Sequence, residues 1–354
     1  MAEYKKELSE LVMAVVKEGG SDLHLTVGRY PTIRVHGSLI PLLKKSVLSP
    51  EDTKGLIFSM LNEENKEQFL KNKELDFSFA LENRVRFRVN AFFQKGFMGA
   101  SLRLIPIEIK DLKSLNLPDI LIDFTNKEQG FFLVVGPIGH GKSTTMASMI
   151  DHINHTRSEH ILTVEDPIEY LFVQDKSIID QREVRVDTND FHSALRSVFR
   201  QDTNVVMIGE MRDTETISAA VTAGETGHLV FSSLHTNSAS QTVDRIIDSF
   251  TPEQQNQIRL QLSSALLGIF SQRLIPRISG GLVPAYELLI NNSAVKNLIR
   301  ENRTHEIDMV IETSFETGMV SLNRSLADLV RQGEITMENA YAFSLNPGGL
   351  EGLI

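Results

Sequence analysis

The chain of 354 residues contains no cysteine. That excludes disulfide bonds, thiolate zinc sites and thiol chemistry, and it fits a reducing compartment. No apolar run approaches the roughly 18 residues that a membrane-spanning helix needs. The start, Met1-Ala2-Glu3-Tyr4-Lys5-Lys6-Glu7, mixes charges of both signs and leads into an amphipathic pattern, unlike a signal peptide. Positive charge is in deficit, with a formal net charge of −10. This argues against nucleic acid or an anionic membrane as the main partner, while leaving room for a local basic strip. Internal repeats and low-complexity blocks are missing too. What remains, 41% hydrophobic and 23% charged residues, is ordinary for a soluble globular chain. At roughly 150 residues per domain, two domains are expected.

One stretch organises the rest. Gly136-Pro137-Ile138-Gly139-His140-Gly141-Lys142-Ser143-Thr144 matches the P-loop pattern of a glycine, four free positions and Gly-Lys-Ser/Thr. The apolar run Phe131–Val135 before it has strand length, and the residues after it continue without a breaker, as a helix does. A strand, a glycine-rich turn and a helix start aim backbone N–H groups and the positive helix end at one anionic pocket. Gly136, Gly139 and Gly141 suit close backbone approach to phosphate. Lys142 is expected at the β- and γ-phosphates, Ser143 at Mg²⁺, and Thr144 beside them. The expectation is a site for ATP with Mg²⁺.

Before this loop, Leu8, Leu11, Val12 and Val15 keep helical spacing, and Asp22–Val27 and Thr32–His36 alternate as strands do. Ser49-Pro50-Glu51-Asp52 opens a helix, with Ser49 as N-cap and Pro50 at the first helical position. Asp76–Ala80 and Arg84–Asn90 read as strands with Asn83 near their turn, giving an α+β domain over 1–106. Weak periodicity between Pro106 and Gln129 reads as a linker over 107–129. From Gly130, buried-type strands alternate with helices (Phe131–Val135, Ile161–Val164, Val205–Ile208, Leu229–Ser232), the mark of a parallel sheet in a domain over 130–354. After Pro252 the chain reads as mostly helical to Ala342, and Asn346-Pro347-Gly348-Gly349 as a flexible tail.

Two carboxylate clusters follow strand ends, Glu165-Asp166-Pro167-Ile168-Glu169 and Gly209-Glu210-Met211-Arg212-Asp213. Ligands of open parallel sheets sit beyond those ends. Glu165, Glu169 and Glu210 are therefore candidates to position Mg²⁺ and to order or deprotonate the attacking water. Gly209 stands where P-loop ATPases usually carry Asp, so Glu210 is expected to serve the metal. His228 and His235 bracket a further strand and are candidates to sense the γ-phosphate. His152, His155 and His160 cluster in sequence but lack an evident fourth zinc ligand. Arg84, Arg86 and Arg88 share a strand face, and Arg103 follows on the next strand. Arg88 and Arg103 are candidates to neutralise phosphate charge across a domain or subunit boundary.

Together these motifs resemble the PilT-type ATPases, the retraction motors of bacterial type IV pili. Ser21–Leu25 and Arg86–Asn90 are similar to that family's PAS-like N-terminal domain, and Gly136–Thr145 to its Walker A motif. Thr163–Glu169 is similar to its Asp box, Ile208–Asp213 to its Walker B motif and Thr226–Thr236 to its His box. Ala294–Glu301 resembles its AIRNLIRE retraction motif, with Val295 and Lys296 in place of Ile and Arg; His140 stands where Ser is usual. The resemblance implies an α/β, RecA-like ATPase domain behind a smaller α+β PAS-like domain. It implies a homo-hexamer with ATP at subunit interfaces, docked to an inner-membrane pilus platform protein at the cytoplasmic face and powering twitching motility. It also implies retraction, since assembly-direction relatives carry a longer N-terminal region and a four-cysteine zinc site. An accessory, PilU-like retraction ATPase is the alternative within the family. Outside it stand a nucleic-acid translocase and a non-hydrolysing nucleotide switch.

Overall fold

The computed structural model describes residues 2–35, 37–81, 85–105 and 108–354. The chain divides into two compact units, Met1–Glu108 with Glu169–Leu171, and Ile109–Ile168 with Phe172–Ile354. The expected roles of His36, Asn83, Arg84 and Pro106 fall outside the described residues.

The first unit opens with α1 (Ala2–Lys17), whose Leu8, Leu11, Val12 and Val15 are buried along one stripe. β1 (Asp22–Leu25), β2 (Thr32–Val35) and β3 (Ser38–Pro41) follow. α2 (Pro50–Met60) starts with a capping box: Ser49 Oγ accepts the Asp52 N–H at 3.1 Å and Asp52 Oδ2 accepts the Ser49 N–H at 2.9 Å. After α3 (Glu63–Asn72), three longer strands, β4 (Glu74–Leu81), β5 (Val85–Gln94) and β6 (Phe97–Ile105), complete a six-stranded antiparallel sheet in the order β3-β2-β1-β6-β5-β4. On β5, Val85, Phe87 and Val89 are buried while Arg88 is exposed on the opposite face.

The second unit begins earlier than the weak periodicity suggested. From 109 onward the supposed linker packs into this unit's core through Leu112, Leu117 and, on α4 (Ile120–Thr125), Leu121 and Phe124. Apolar side chains spaced irregularly leave no period to read, yet each can be buried. β7 (Gly130–Val135) leads to α5 (Lys142–Thr156). Then come β8 (His160–Glu165), β9 (Ile178–Glu183), α6 (Phe191–Val198), β10 (Val205–Ile208), α7 (Thr214–Glu225), β11 (Leu229–Leu234), α8 (Ala239–Asp248) and α9 (Pro252–Ala265).

Here the structure departs from the helical expectation. Leu266–Pro276 is strand β12 and Leu282–Ile290 is strand β13, an antiparallel pair. β12 is buried on both faces, so it lacks the alternation that separates a strand from a buried helix. The sheet runs β13-β12-β7-β11-β10-β8-β9, and every neighbouring pair except β12 and β13 is parallel. β7, β10 and β11 are buried at every position, as expected of a sheet covered on both faces. The C-terminal part holds α10 (Ser293–Arg300), α11 (Ile307–Thr313), α12 (Leu322–Arg331), α13 (Met337–Phe343) and α14 (Pro347–Glu351). The tail read as flexible is that last short helix: Asn346 Oδ1 accepts the Gly349 N–H at 3.2 Å, and Leu350 is fully buried. Among the described residues no helix is long and apolar enough to cross a membrane.

Candidate nucleotide site

The parallel register brings four strand ends together, since Leu234 pairs with Val135, and Ile208 with both Val164 and Ser232. The P-loop, the Glu165 cluster, the Glu210 cluster and His235 all leave the sheet along this edge.

Gly136, Gly139 and Gly141 have φ values of +142°, +79° and +82°, a region that side chains rarely adopt. A Cβ on Gly136 would stand 2.3 Å from the Gln272 carbonyl oxygen on β12, whereas one on Gly139 would meet nothing within 4 Å. The loop is thus pressed against β12 at its base and open at its tip, a cradle in which only glycine leaves room for a phosphate. Gln272, itself buried, accepts the Thr145 hydroxyl at 2.6 Å through Oε1 and so ties β12 to the first turn of α5. Sequence reasoning missed Gln272; its only signal was a polar residue inside the run Leu266–Pro276.

Lys142 is buried, and its Nζ donates to the carbonyls of Gly136 and Pro137, both at 2.9 Å. It also lies 3.1 Å from His235 Nδ1. An ammonium only donates, so Nδ1 accepts, the ring proton sits on Nε2, and Nε2–H donates to Glu210 Oε2 at 3.2 Å. Arg212 donates to the other oxygen, Oε1. A continuous line therefore joins Lys142, His235, Glu210 and Arg212. Burial by itself would raise the Glu210 carboxyl, but the hydrogen bonds from Arg212 and His235 and the positive charge of Arg212 outweigh it and hold it below its ordinary value. Glu210 is therefore ionised and faces the donors of Arg212 and His235.

Glu165 ends β8 and is buried, accepting the Thr163 hydroxyl at 2.7 Å. A Cβ on Gly209 would lie 3.5 Å from Glu165 Cα and 3.8 Å from its Cγ. An aspartate at 209 would thus set a second carboxylate against Glu165, which gives a physical reason for glycine there and for the acid moving to Glu210. Glu169 is exposed and falls within Glu169–Leu171, which packs with the first unit. Ser143 and Thr144 stand half-buried in the first turn of α5. No three His, Cys, Asp or Glu side chains gather into a metal site of their own among the described residues. The residues present fit Mg²⁺ bound together with a nucleotide: the Ser143 hydroxyl and the Glu210 carboxylate are the protein groups that would hold it.

Within the second unit, one expected site residue does not join the others. His228 lies at the opposite edge of the sheet, at the start of β11, where its carbonyl accepts the N–H of Gly130 at 3.0 Å. Strand β11 is six residues long, so about 20 Å separates its two ends. His228 packs edge-on against Phe199, ring centroids 5.3 Å apart. The two histidines bracket the strand as read, but a strand has two ends and only His235 reaches the P-loop. In the first unit Arg88 and Arg103 are direct cross-strand partners, both exposed. Arg103 Nε donates to the buried Asp22 at 2.9 Å. His155 and His160 are engaged by Asp175 at 2.8 Å and Asp180 at 2.9 Å.

The family of Type II/IV secretion system proteins matches residues 2–281, most of the chain. The chain belongs to that family. It is 42% identical over 334 residues to the type IV pilus retractation ATPase PilT of Pseudomonas aeruginosa, covering 94% of this chain and 97% of the relative. It is 38% identical over 349 residues to the type IV pilus ATPase PilU of the same species, covering 98% and 91%. Among solved structures, that of the pilus retraction motor PilT with bound ADP superposes with a TM-score of 0.91 at 47% identity, covering 97% of this chain and 98% of that one.

Proposed function

We propose that this chain is an ATP-hydrolysing motor that powers type IV pilus retraction, working as a homo-hexamer. The observation that carries this reading is the line from Lys142 through His235 to Glu210, which links the phosphate loop to an ionised carboxylate. The phosphates sit in Gly136–Thr144, and Lys142 exchanges the Gly136 and Pro137 carbonyls for β- and γ-phosphate oxygens. Bound Mg²⁺ neutralises charge between those phosphates; Ser143 and Glu210 are the residues to hold it. Glu165, fixed by Thr163, orders and deprotonates the attacking water. Glu169 is the second candidate for that task. His235 reads the state of the phosphate loop, and His228 is left without a nucleotide role. Arg88 and Arg103 neutralise phosphate charge in a neighbouring subunit. The ring works at the cytoplasmic face of the inner membrane, held there by a pilus platform protein and binding no nucleic acid. Similarity to PilU along 98% of this chain supports a second reading, an accessory retraction ATPase.

Turnover and nucleotide binding by the full chain test the proposal. Lys142→Ala is expected to lose tight ATP binding. Glu210→Gln is expected to keep binding while turnover falls at least about a hundredfold, since an amide cannot order water as a carboxylate does. A wild type that binds ATP without hydrolysing it would point to a switch, and DNA-stimulated turnover to a translocase. Retraction in cells only beside another retraction ATPase would favour the accessory reading.

A further inference from the structure

The P-loop pattern leaves position 140 free, yet His140 is engaged. Its Nδ1 accepts the backbone N–H of Leu274 on β12 at 2.9 Å. Register explains why that N–H needs a partner. Leu274 lies opposite Pro284 on β13, and proline has no N–H to exchange. Leu274 therefore turns its N–H away from β13, towards the side on which β7 runs. But β7 ends at Val135, paired with Ser271, and the chain then leaves as the P-loop. The Leu274 N–H would be stranded half-buried beyond the last β7 pair, an arrangement that native structures avoid. The imidazole takes the place of the missing strand.

The tie is also well placed. Gly139 and Gly141 on either side carry no side chain, and Ile138 is 81% exposed. Among the described residues of the loop tip, His140 supplies the side-chain anchor to the sheet. Its ring meets Phe343 of α13 edge-on, centroids 6.4 Å apart. Burial, with the positive charges of Arg273 and Lys142, lowers the His140 pKa and keeps the ring in the form that can accept.

We propose that His140 is a positioning residue for the triphosphate site, holding the tip of the phosphate loop against β12 through the Leu274 N–H. The proposal rests on the reading of the loop as a nucleotide site and assigns a role to a position that the motif leaves open.

Asparagine places Oδ1 close to the position of the histidine Nδ1, and leucine has nearly the shape of asparagine without an acceptor. His140→Asn and His140→Leu in the full chain therefore separate the hydrogen bond from the volume. Three readouts are compared with wild type: amide exchange of the nucleotide-free protein in the peptide containing Leu274, affinity for a fluorescent ADP analogue, and kcat at saturating ATP. His140→Leu is expected to speed exchange at Leu274 and to weaken ADP binding about five- to tenfold, the worth of one hydrogen bond, with kcat nearly unchanged. His140→Asn should stay within about twofold of wild type in all three. A leucine variant that binds ADP like wild type, or an asparagine variant as weak as the leucine one, overturns the proposal. If wild type itself fails to bind ADP, the nucleotide reading fails and this one with it; a binding wild type with an indifferent His140 sinks this one alone.

Discussion

Gly136 and Gly139 belong to the same motif, but alanine is expected to act very differently at the two. At Gly136 the new Cβ would meet the Gln272 carbonyl oxygen at 2.3 Å, and backbone has to shift to bring that contact beyond 3.0 Å. The partner is main chain of a central strand, buried between β7 and β13, so it cannot swing aside as a side-chain tip would. Overpacking of this kind costs about 1–3 kcal/mol. Holding alanine at φ +142° costs about 1–3 kcal/mol more. At Gly139 the space is empty and only the left-handed backbone matters, at about 1–2 kcal/mol. Urea unfolding of the two variants should therefore show Gly136→Ala losing about 2–6 kcal/mol and Gly139→Ala about 1–2 kcal/mol. ADP affinity, read on folded protein, should fall for both because each disturbs the cradle. Equal stability losses, or a larger loss at Gly139, would refute the argument that β12 walls the base of the loop.

Two further outcomes are expected. Burial raises the Glu287 carboxyl on β13 from 4.5 to about 7, against a hydrogen bond from the Ala239 N–H and the charge of Arg273, and with Asp308 pushing the same way as burial. The folded protein then holds a proton that the unfolded chain releases, so this stability is full below pH 4.5 and is lost as pH rises to about 7. Relative to wild type, Glu287→Gln should gain on the order of 2–3 kcal/mol between pH 4.5 and 8, and a pH-independent difference in unfolding would contradict the assigned burial. For the arginines, mixing Lys142→Ala with Arg88→Ala subunits should restore part of the ATPase activity if Arg88 serves a neighbour's site; activity that follows simple dilution would place Arg88 elsewhere.

What was legible in the sequence was local. The P-loop is nine contiguous residues whose glycines and lysine each answer to one feature of a phosphate. β7, β8, β10 and β11 announced themselves as short apolar runs, β7 ending in the P-loop and the others in carboxylates or histidine. The Ser49 capping box needed only four residues. Helix α10 carries most of the stretch that resembles the retraction motif; within it Val295, Leu298 and Ile299 are buried while Ala294 is exposed. Strand β12 stayed hidden because it is buried on both faces, and the edge strand β13 because it too is buried at most positions, so no alternation marks either.

The site was illegible where its partners lie far apart along the chain. Thr145 and Gln272 are 127 residues apart, and His140 and Leu274 are separated by 134. A one-residue pattern cannot specify such pairs, because nothing near Thr145 says that a strand will pass beside it. The choice between His228 and His235 has the same origin. Both follow the motif equally well, and only the parallel pairing of β11 with β7 decides which of them shares an edge with the phosphate loop. Gly209 carries the point further. Alone it looks like a lost acid; because a Cβ there would lie 3.5 Å from Glu165 Cα, it is the residue that lets two carboxylates, Glu165 and Glu210, leave adjacent strands without facing each other at their bases. Like charges so close would oppose each other's ionisation. Moving one acid along by a single residue turns it towards Arg212 and His235, and that displacement is what allows Glu210 to stay ionised.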